Sequence, residues 1–206
     1  MAHRRVVQSV RTSRGVAAAL AACVVLSACA SGEGGQQATT TSPSATEVPG
    51  NPWDLPIEQR PALFDPCAEI PVEAIEQGVG GPVELDERLT RHRPAELMAC
   101  GWASNEIILN VVGTWKSQQE FLADPSFVDV KPSSLQGVEV FSARDRSDRD
   151  RSCYQIYFTP RGAVFVSVDL VSSLSSFRNE QFVDPCDVLS TIIQPIAEHV
   201  PRGEFG

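Results

Sequence analysis

The sequence predicts an α+β fold: an antiparallel sheet of about five strands, with an N-terminal and a C-terminal helix packed on it and two disulfides bracing it. Apolar residues recur at every second position over 107–111 and 164–170, which is the period of a half-buried strand. The motif Asp-Pro-Cys occurs at 65–67 and 184–186, and an N-cap aspartate followed by proline is typical of a helix start. Four cysteines follow residue 29, an even number that favours disulfides.

The first 28 residues have the organisation of an export signal. Four arginines and no acidic residue precede the apolar run 16–26. That run is shorter than the roughly 20 residues of a membrane-spanning helix, and it fits the apolar region of a signal peptide. The segment Leu26-Ser27-Ala28-Cys29 then resembles the lipobox of bacterial lipoproteins, in which the cysteine receives a diacylglyceryl group and the signal is cleaved just before it.

This resemblance predicts a chain held by fatty acyl groups such as palmitate on Cys29, at the extracytoplasmic face of the cell membrane. The alternative is an ordinary secretory signal that is cleaved elsewhere, with Cys29 incidental. Arg4-Arg5 could suggest twin-arginine export, but His3 and Val6 on either side fit that consensus poorly. General secretion is therefore expected.

Composition divides the chain into a signal peptide, a lipidated disordered tether, a single globular domain and a short tail. These segments are expected at 1–28, 29–61, 62–200 and 201–206. Gly, Ser, Thr and Pro dominate the tether, and such a segment buries too little apolar surface to offset the entropy lost on ordering. Docking of Trp53 or Leu55 on the domain is the alternative to complete disorder. The domain has roughly 140 residues, enough for one hydrophobic core.

The four cysteines of the domain are expected to form two disulfides, because an exported chain meets an oxidising compartment. They are Cys67, Cys100, Cys153 and Cys186. No closely spaced pair such as C-x-x-C is present, so a zinc site is not expected. Three connectivities are possible. Two equal separations of 33 residues favour 67–100 with 153–186, since each pair then joins an Asp-Pro-Cys helix start to a strand cysteine.

In the first half of the domain, a helix is predicted from Asp65, restarting at Pro71 and ending at Gly78. Strands follow at 96–103 and 106–113, joined by a turn at 104–105. Ser117 with Glu120 is a capping box for a short helix that ends at Leu122.

In the second half, a strand at 138–143 leads into the charged loop 144–151, which is expected to be a solvated, self-paired hairpin loop. Strands at 153–159 and 163–171 form a hairpin around Pro160-Arg161-Gly162. The C-terminal helix starts at Asp184, and Pro195 is expected to kink or weaken it. Its apolar side consists of Val188, Leu189, Ile192, Ile193 and Ile196.

The order of these features resembles the LprB/LprC-type actinobacterial lipoproteins, a family with a domain of unknown function. The resemblance rests on the lipobox, the tether, Phe64-Asp65-Pro66-Cys67, Cys100-Gly101-Trp102 and the closing Asp184-Pro185-Cys186 helix. More distantly, the chain is similar to the two-disulfide extracellular sensor domains of actinobacterial Ser/Thr kinases. The resemblance implies an envelope lipoprotein and supplies no catalytic residues.

Catalytic chemistry finds little support in the sequence. The expected mature chain has two histidines, His92 in a polar stretch and His199 in the last helical turn, and neither is expected to be a catalytic base. No G-x-S-x-G, H-E-x-x-H, phosphate-binding glycine loop or EF-hand loop is present, so no enzyme, metal or cofactor is expected. A cell-wall enzyme that uses paired carboxylates is the alternative.

The predicted function is a non-catalytic binding domain for a small apolar ligand or an envelope protein. Without residues 1–28 the chain has 13 basic and 26 acidic residues, a charge that repels nucleic acid. Trp102 and Trp115 flank the first hairpin and are candidates for lining a groove, although core packing is the favoured role of Trp102. A structural spacer or surface antigen is a further alternative.

Overall fold

An antiparallel sheet of eight strands forms the centre of the structure, a computed structural model that describes residues 51–172 and 175–202. The strands are β1 Glu84–Leu85, β2 Arg91–Arg93, β3 Leu97–Ala103, β4 Ile107–Thr114, β5 Phe127–Leu135, β6 Val138–Asp145, β7 Ser152–Thr159 and β8 Gly162–Leu170. Their spatial order is β1-β3-β4-β8-β7-β6-β5, and β2 also pairs with β3. The α-helices are α1 Pro66–Glu69, α2 Val72–Val79, α3 Gln118–Ala123 and α4 Pro185–Ala197.

The α+β class is confirmed, but the expected number of strands was too low. The strands missed are β1, β2 and β5. Strands β1 and β2 have only two and three residues, all exposed, so they carry no apolar period. Strand β5 lies at the sheet edge, and its residues 131–134 are all exposed. An edge strand without a buried face lacks the alternation on which sequence prediction relies.

Strand β5 is protected against pairing with another chain. Leu135 and Val138 close a two-residue hairpin, so Pro132, opposite Phe141, occupies a non-hydrogen-bonded position of the ladder. The N–H that proline lacks would otherwise point away from β6 toward solvent. A bulge between Val128 and Lys131 further distorts the edge. Proline, lysine and a bulge are the devices by which edge strands avoid association.

Helix α4 lies on one face of the sheet against β7 and β8, called here the inner face, and α2 packs against α4. The predicted apolar side of α4 is buried, with Leu189, Ile192 and Ile193 fully inaccessible. These side chains belong to one hydrophobic cluster with alternate residues of β4 and β8, such as Val111 and Val166. Burying one such side chain is worth about 1.5–3 kcal/mol, so this interface contributes substantially to stability. The helix continues through Pro195 to Ala197.

The predicted helix end at Gly78 was wrong, because α2 continues to Val79 and ends with Gly80 in the left-handed conformation, φ 85°. Gly78 instead lies where α2 crosses α4. A Cβ atom at this position would be 2.3 Å from the carbonyl oxygen of Ile192. The glycine therefore permits a close approach of two helices, and only Gly80 has the helix-ending role.

Two disulfides are present with the favoured pairing. Cys67 in the first turn of α1 joins Cys100 of β3, with Cα atoms 5.2 Å apart. Cys186 in the first turn of α4 joins Cys153 of β7, with Cα atoms 5.0 Å apart. Each Asp-Pro-Cys helix start is thus fixed to the sheet. In the chain-entropy model a bridge that closes a loop of this length contributes about 3–4 kcal/mol.

The folded region begins before residue 62, earlier than the composition suggested. Residues 51–61, assigned to the tether, include the 3-10 turns Pro52–Asp54 and Ile57–Gln59. The indole Nε1 of Trp53 donates to the carbonyl oxygen of Thr159 at 3.0 Å, which fixes this segment on the domain. The predictions for the signal peptide, Cys29 and the tether up to residue 50 lie outside the described residues, as do residues 203–206. Over the described ranges, none of the helices has the length and hydropathy needed to cross a bilayer.

Candidate functional site

The two tryptophans predicted as groove residues do not lie together. Trp102 is 4% exposed on the inner face, within the main hydrophobic core. Trp115 is 8% exposed and packs with Leu63, Met98 and Trp53 beyond the end of β4. Trp102 therefore has the core role favoured for it, and the pair does not form a common groove.

The opposite, outer face of the sheet carries an apolar surface that the sequence analysis did not recognise. Its half-buried residues are Phe127, Val130, Phe141, Tyr154, Phe158 and Phe165. A sheet with one solvated face normally alternates apolar and polar residues. Strand β7 instead is apolar or aromatic on both sides, with Cys153 and Tyr157 facing inward and Tyr154, Ile156 and Phe158 facing outward. That double pattern was the available signal, and it indicates a sheet partly covered on both faces.

Helix α3 lies on this outer face and forms a groove with it. Phe121 of α3 is buried, and its ring centroid lies 5.4 Å from Phe127, 6.1 Å from Phe158 and 5.7 Å from Phe165. Leu122, the next residue, is 51% exposed. The groove, called here the aromatic groove, is shallow and has no room for even a water molecule. It is lined by Gln118, Phe121, Leu122, Phe127, Val130, Phe141, Ile156 and Phe158.

The aromatic groove is lined without a charged side chain, and the ions beside it are paired with each other. The Lys116 ammonium binds the Asp124 carboxylate and lies 4.7 Å from the Phe121 ring centroid. Hydrogen bonds from Lys116 and Ser126 hold the pKa of Asp124 well below its usual range. Glu120 accepts from the backbone N–H of Ser117 at 2.7 Å in the predicted capping box, which fixes the start of α3.

Trp53 limits the groove on the side of the N-terminal segment. Its ring is edge-on to Trp115, with centroids 5.0 Å apart, and to Phe158, with centroids 6.1 Å apart. Arg60 donates to the backbone oxygens of Trp53 and Leu55 at 3.1 and 2.9 Å, and so holds the segment closed on itself.

Three carboxylates, those of Asp145, Asp148 and Asp169, lie at the other end of the outer face. Together with Tyr154 they are called here the acidic group. Burial, together with the charges of Asp148 and Asp145, raises the pKa of Asp169 to about 6, although the charge of Arg151 acts in the opposite direction. A hydrogen bond from Ser147 lowers the pKa of Asp145. Asp148 forms two hydrogen bonds of 2.9 Å with Arg151. Burial and the three carboxylates raise the pKa of the Tyr154 hydroxyl.

The two histidines considered as catalytic bases are both exposed. His92 is exposed, and its Nδ1 is 3.6 Å from the carboxylate of Asp65, which caps α1. His199 is exposed just after α4, where its backbone N–H donates to the carbonyl oxygen of Ile196. Within 51–172 and 175–202, no three His, Cys, Asp or Glu side chains are placed to bind a metal ion.

Comparison with known proteins gives a family. A family model described as a protein of unknown function, DUF3558, matches residues 24–197. No curated protein and no solved structure matches the chain. The expectation of an uncharacterised domain family is confirmed at this level, whereas the finer resemblances to LprB/LprC-type lipoproteins and to kinase sensor domains stay predictions. Since the match covers most of its length, the chain belongs to the DUF3558 family of proteins of unknown function.

Proposed function

We propose that this chain is a lipid-anchored envelope lipoprotein whose domain is a non-catalytic binding module for a protein partner. Anchoring is supported by the ordered succession of basic start, apolar run and lipobox that ends at Cys29. Binding is supported by the outer face of the sheet. The two halves of the proposal are independent, and each has its own experiment.

The observation that carries the binding proposal is the exposed apolar surface around the aromatic groove. Leu122 is 51% exposed, and the rings of Phe127, Phe141 and Phe158 beside it are half-buried. Apolar surface that is rimmed by polar residues is typical of protein–protein interaction sites. Here the neighbouring ions Lys116 and Asp124 are paired with each other, so a partner that covers the surface would not leave either charge without a counter-ion.

A protein partner fits this surface better than a small apolar ligand. Pockets for small molecules usually enclose about 300–1,000 Å³ and bury most of the ligand. The aromatic groove has no room for even a water molecule, because its own rings fill the space between α3 and the sheet. A flat, half-filled apolar surface is suited to the side chains of another protein. Strand addition at β5 is disfavoured by Pro132, which leaves the face of the sheet as the contact surface.

Site-specific photocrosslinking in the native envelope tests this proposal. A photoreactive phenylalanine replaces Leu122, and a matched control replaces Leu85, which is 55% exposed on β1. We expect one discrete crosslinked protein from position 122 and none of it from position 85. The partner so identified should bind the purified domain at least tenfold more weakly after Leu122→Glu, a loss of about 1.4 kcal/mol, and unchanged after Leu85→Glu. Equal crosslinking at both positions, or binding that tolerates Leu122→Glu, would refute the proposal.

An enzyme acting on cell-wall material is a second candidate, favoured by one observation. The environments of Asp145 and Asp169 shift their pKa values in opposite directions, a pattern found in pairs of catalytic carboxylates. The enzyme candidate is weaker than the binding proposal because Asp145 already accepts a hydrogen bond from Ser147, and Asp148 accepts one from Arg151. Release of soluble fragments from purified cell wall, abolished by Asp169→Asn, would favour the enzyme. Equal release by both proteins, or none, would remove this candidate.

A further inference from the structure

The acidic group and the aromatic groove adjoin each other on the outer face. Phe127 of β5 is opposite Asp145 of β6, so a groove ring and a carboxylate are direct cross-strand neighbours. The ring of Tyr154 lies 5.1 Å from that of Phe127. Tyr154 is opposite Ser167, which places it diagonal to Asp169 on the same face. One partner surface can therefore contact both regions.

The acidic group has more negative charge than its own cations neutralise. Arg151 pairs with Asp148, and Arg88 pairs with Asp86 in the neighbouring β1–β2 segment. Arg146, next to Asp145 in the chain, is exposed and donates to the carbonyl oxygen of Pro125, so the three carboxylates of the group stand against two arginines. Among the ion pairs of the described chain, none includes Asp145 or Asp169. Asp169 is also largely buried between Ile108 of β4 and Ser152 of β7. A basic group of a partner gains most binding free energy beside a carboxylate that is unpaired and partly desolvated.

We propose that the partner is an amphipathic helix with basic residues, whose apolar side lies on the aromatic groove and whose lysines or arginines reach the acidic group. This inference rests on the proposed function and names the chemistry of its partner. A helix fits because α3 already occupies part of the same face, and a second helix beside it would complete a layer on the sheet. Basic residues fit because the groove itself is neutral and the carboxylates lie at one end of it.

Binding of a basic side chain beside Asp169 should depend on pH. The groups that face Asp169 are Asp145 from β6, Asp148 and Arg151 from the following loop, and Tyr154 from β7. Asp86 and Arg88 line the same surface cleft. A basic side chain bound beside Asp169 favours the charged carboxylate, so binding releases a proton when the pH is near the pKa of the free protein. Affinity should therefore increase as the pH rises through about 6.

Two synthetic peptides test the inference on the purified domain, residues 30–206 without lipid. Both are amphipathic helices of roughly four turns with a leucine face, one with lysines on its polar face and the other with glutamates. We expect the lysine peptide to bind at least about tenfold more tightly, and its affinity to fall between about pH 7.5 and pH 5. Asp169→Asn should weaken binding of the lysine peptide by about threefold to tenfold. Asp187→Asn, an equal charge change at an exposed position of α4, should have less than a twofold effect.

The outcomes separate this inference from the proposed function. If both peptides bind equally and Leu122→Glu abolishes the binding of both, the groove is a docking site and the inference of a basic partner is wrong. Equal losses from Asp169→Asn and Asp187→Asn would show long-range attraction alone and would also overturn the inference. If neither peptide responds to Leu122→Glu, the proposed function itself fails at this face. Self-association of the domain that Leu122→Glu removes would identify a second copy as the occupant instead.

Discussion

Arg144 at the end of β6 binds Asp184 at the start of α4, with its Nη2 atom 2.8 and 2.6 Å from the two carboxylate oxygens. Asp184 also caps α4 by accepting from the backbone N–H of Cys186 at 2.8 Å. Burial acts to raise the pKa of Asp184, but the hydrogen bonds from Arg144 and Cys186 outweigh it and the pKa is lowered. The charged loop 144–151 was expected to pair within itself, and Arg151 does pair with Asp148 inside it. Its first arginine, however, joins the loop to the last helix.

Removing this ion pair should loosen the start of α4. We expect Arg144→Met to lower the free energy of unfolding by about 1–2 kcal/mol, because the Asp184 carboxylate keeps its capping role but loses its cation. Urea denaturation measures the change. Arg149→Met is the matched control, since its pair with Asp129 is largely exposed and should contribute at most about 0.5 kcal/mol. Equal effects of the two variants would contradict a specific role for Arg144.

Local chemistry made part of this fold predictable from the sequence. The cap at Asp65, the capping box at Ser117 and the strand period of β8 each depend on residues close in the chain. The disulfide pairing also followed, because two equal spacings matched two helix starts. The predictions that failed concern residues whose roles depend on distant parts of the chain. The role of Gly78 follows from its close approach to the backbone of Ile192, and that of Arg144 from its ion pair with Asp184, forty positions away.

The candidate site shows the same division. The tryptophans chosen as groove residues lie in separate clusters, because burial rather than exposure is the usual fate of an aromatic residue beside a strand. The aromatic groove draws residues from α3, β5, β6 and β7, which no local window brings together. Only the two-sided apolar character of β7 indicated in advance that the outer face would be unusual.

Replacing Gly78 by alanine should disrupt the contact between α2 and α4. The new Cβ would be 2.3 Å from the Ile192 carbonyl oxygen, a backbone atom that cannot rotate away. We expect a loss of about 2–3 kcal/mol in the free energy of unfolding, as for other overpacked sites. Gly81→Ala is the control, because nothing lies within 4 Å of its Cβ position. A Gly78→Ala protein as stable as the Gly81→Ala protein would show that the helices are farther apart.

Lipid attachment is tested at Cys29. Cys29→Ala should abolish incorporation of labelled palmitate and either release the protein or leave uncleaved precursor, because acyl chains supply the stable membrane attachment. Fractionation and metabolic labelling provide the measurement. Cys23→Ala is the control, since Cys23 lies in the apolar run that is expected to be removed. Label retained in the Cys29→Ala protein, or absent from the wild type, would rule out the lipobox.

The stability of the domain should be greatest in mildly acidic solution, because of Asp169. Its pKa is about 6 in the folded protein and about 4 in an unfolded chain, so the folded state binds the proton more tightly. Stability from this group therefore increases as the pH falls from about 7 to about 4. Carboxylates with lowered pKa values, Glu69, Asp145 and Asp184, act in the opposite direction and lose their stabilising effect below about pH 4.

Asp169→Asn isolates this contribution. At pH 7 the variant should be more stable than the wild type by about 2 kcal/mol, since it no longer holds a charge in a partly desolvated place beside two other carboxylates. The gain should shrink toward zero below about pH 4, where the wild-type carboxyl becomes protonated in the unfolded chain as well. Urea denaturation across this pH range measures the gain. The control is Asp187→Asn, an equal change of charge at an exposed position of α4. An Asp187→Asn protein with the same gain would assign the effect to net charge, and an Asp169→Asn protein without pH-dependent gain would contradict the burial of Asp169.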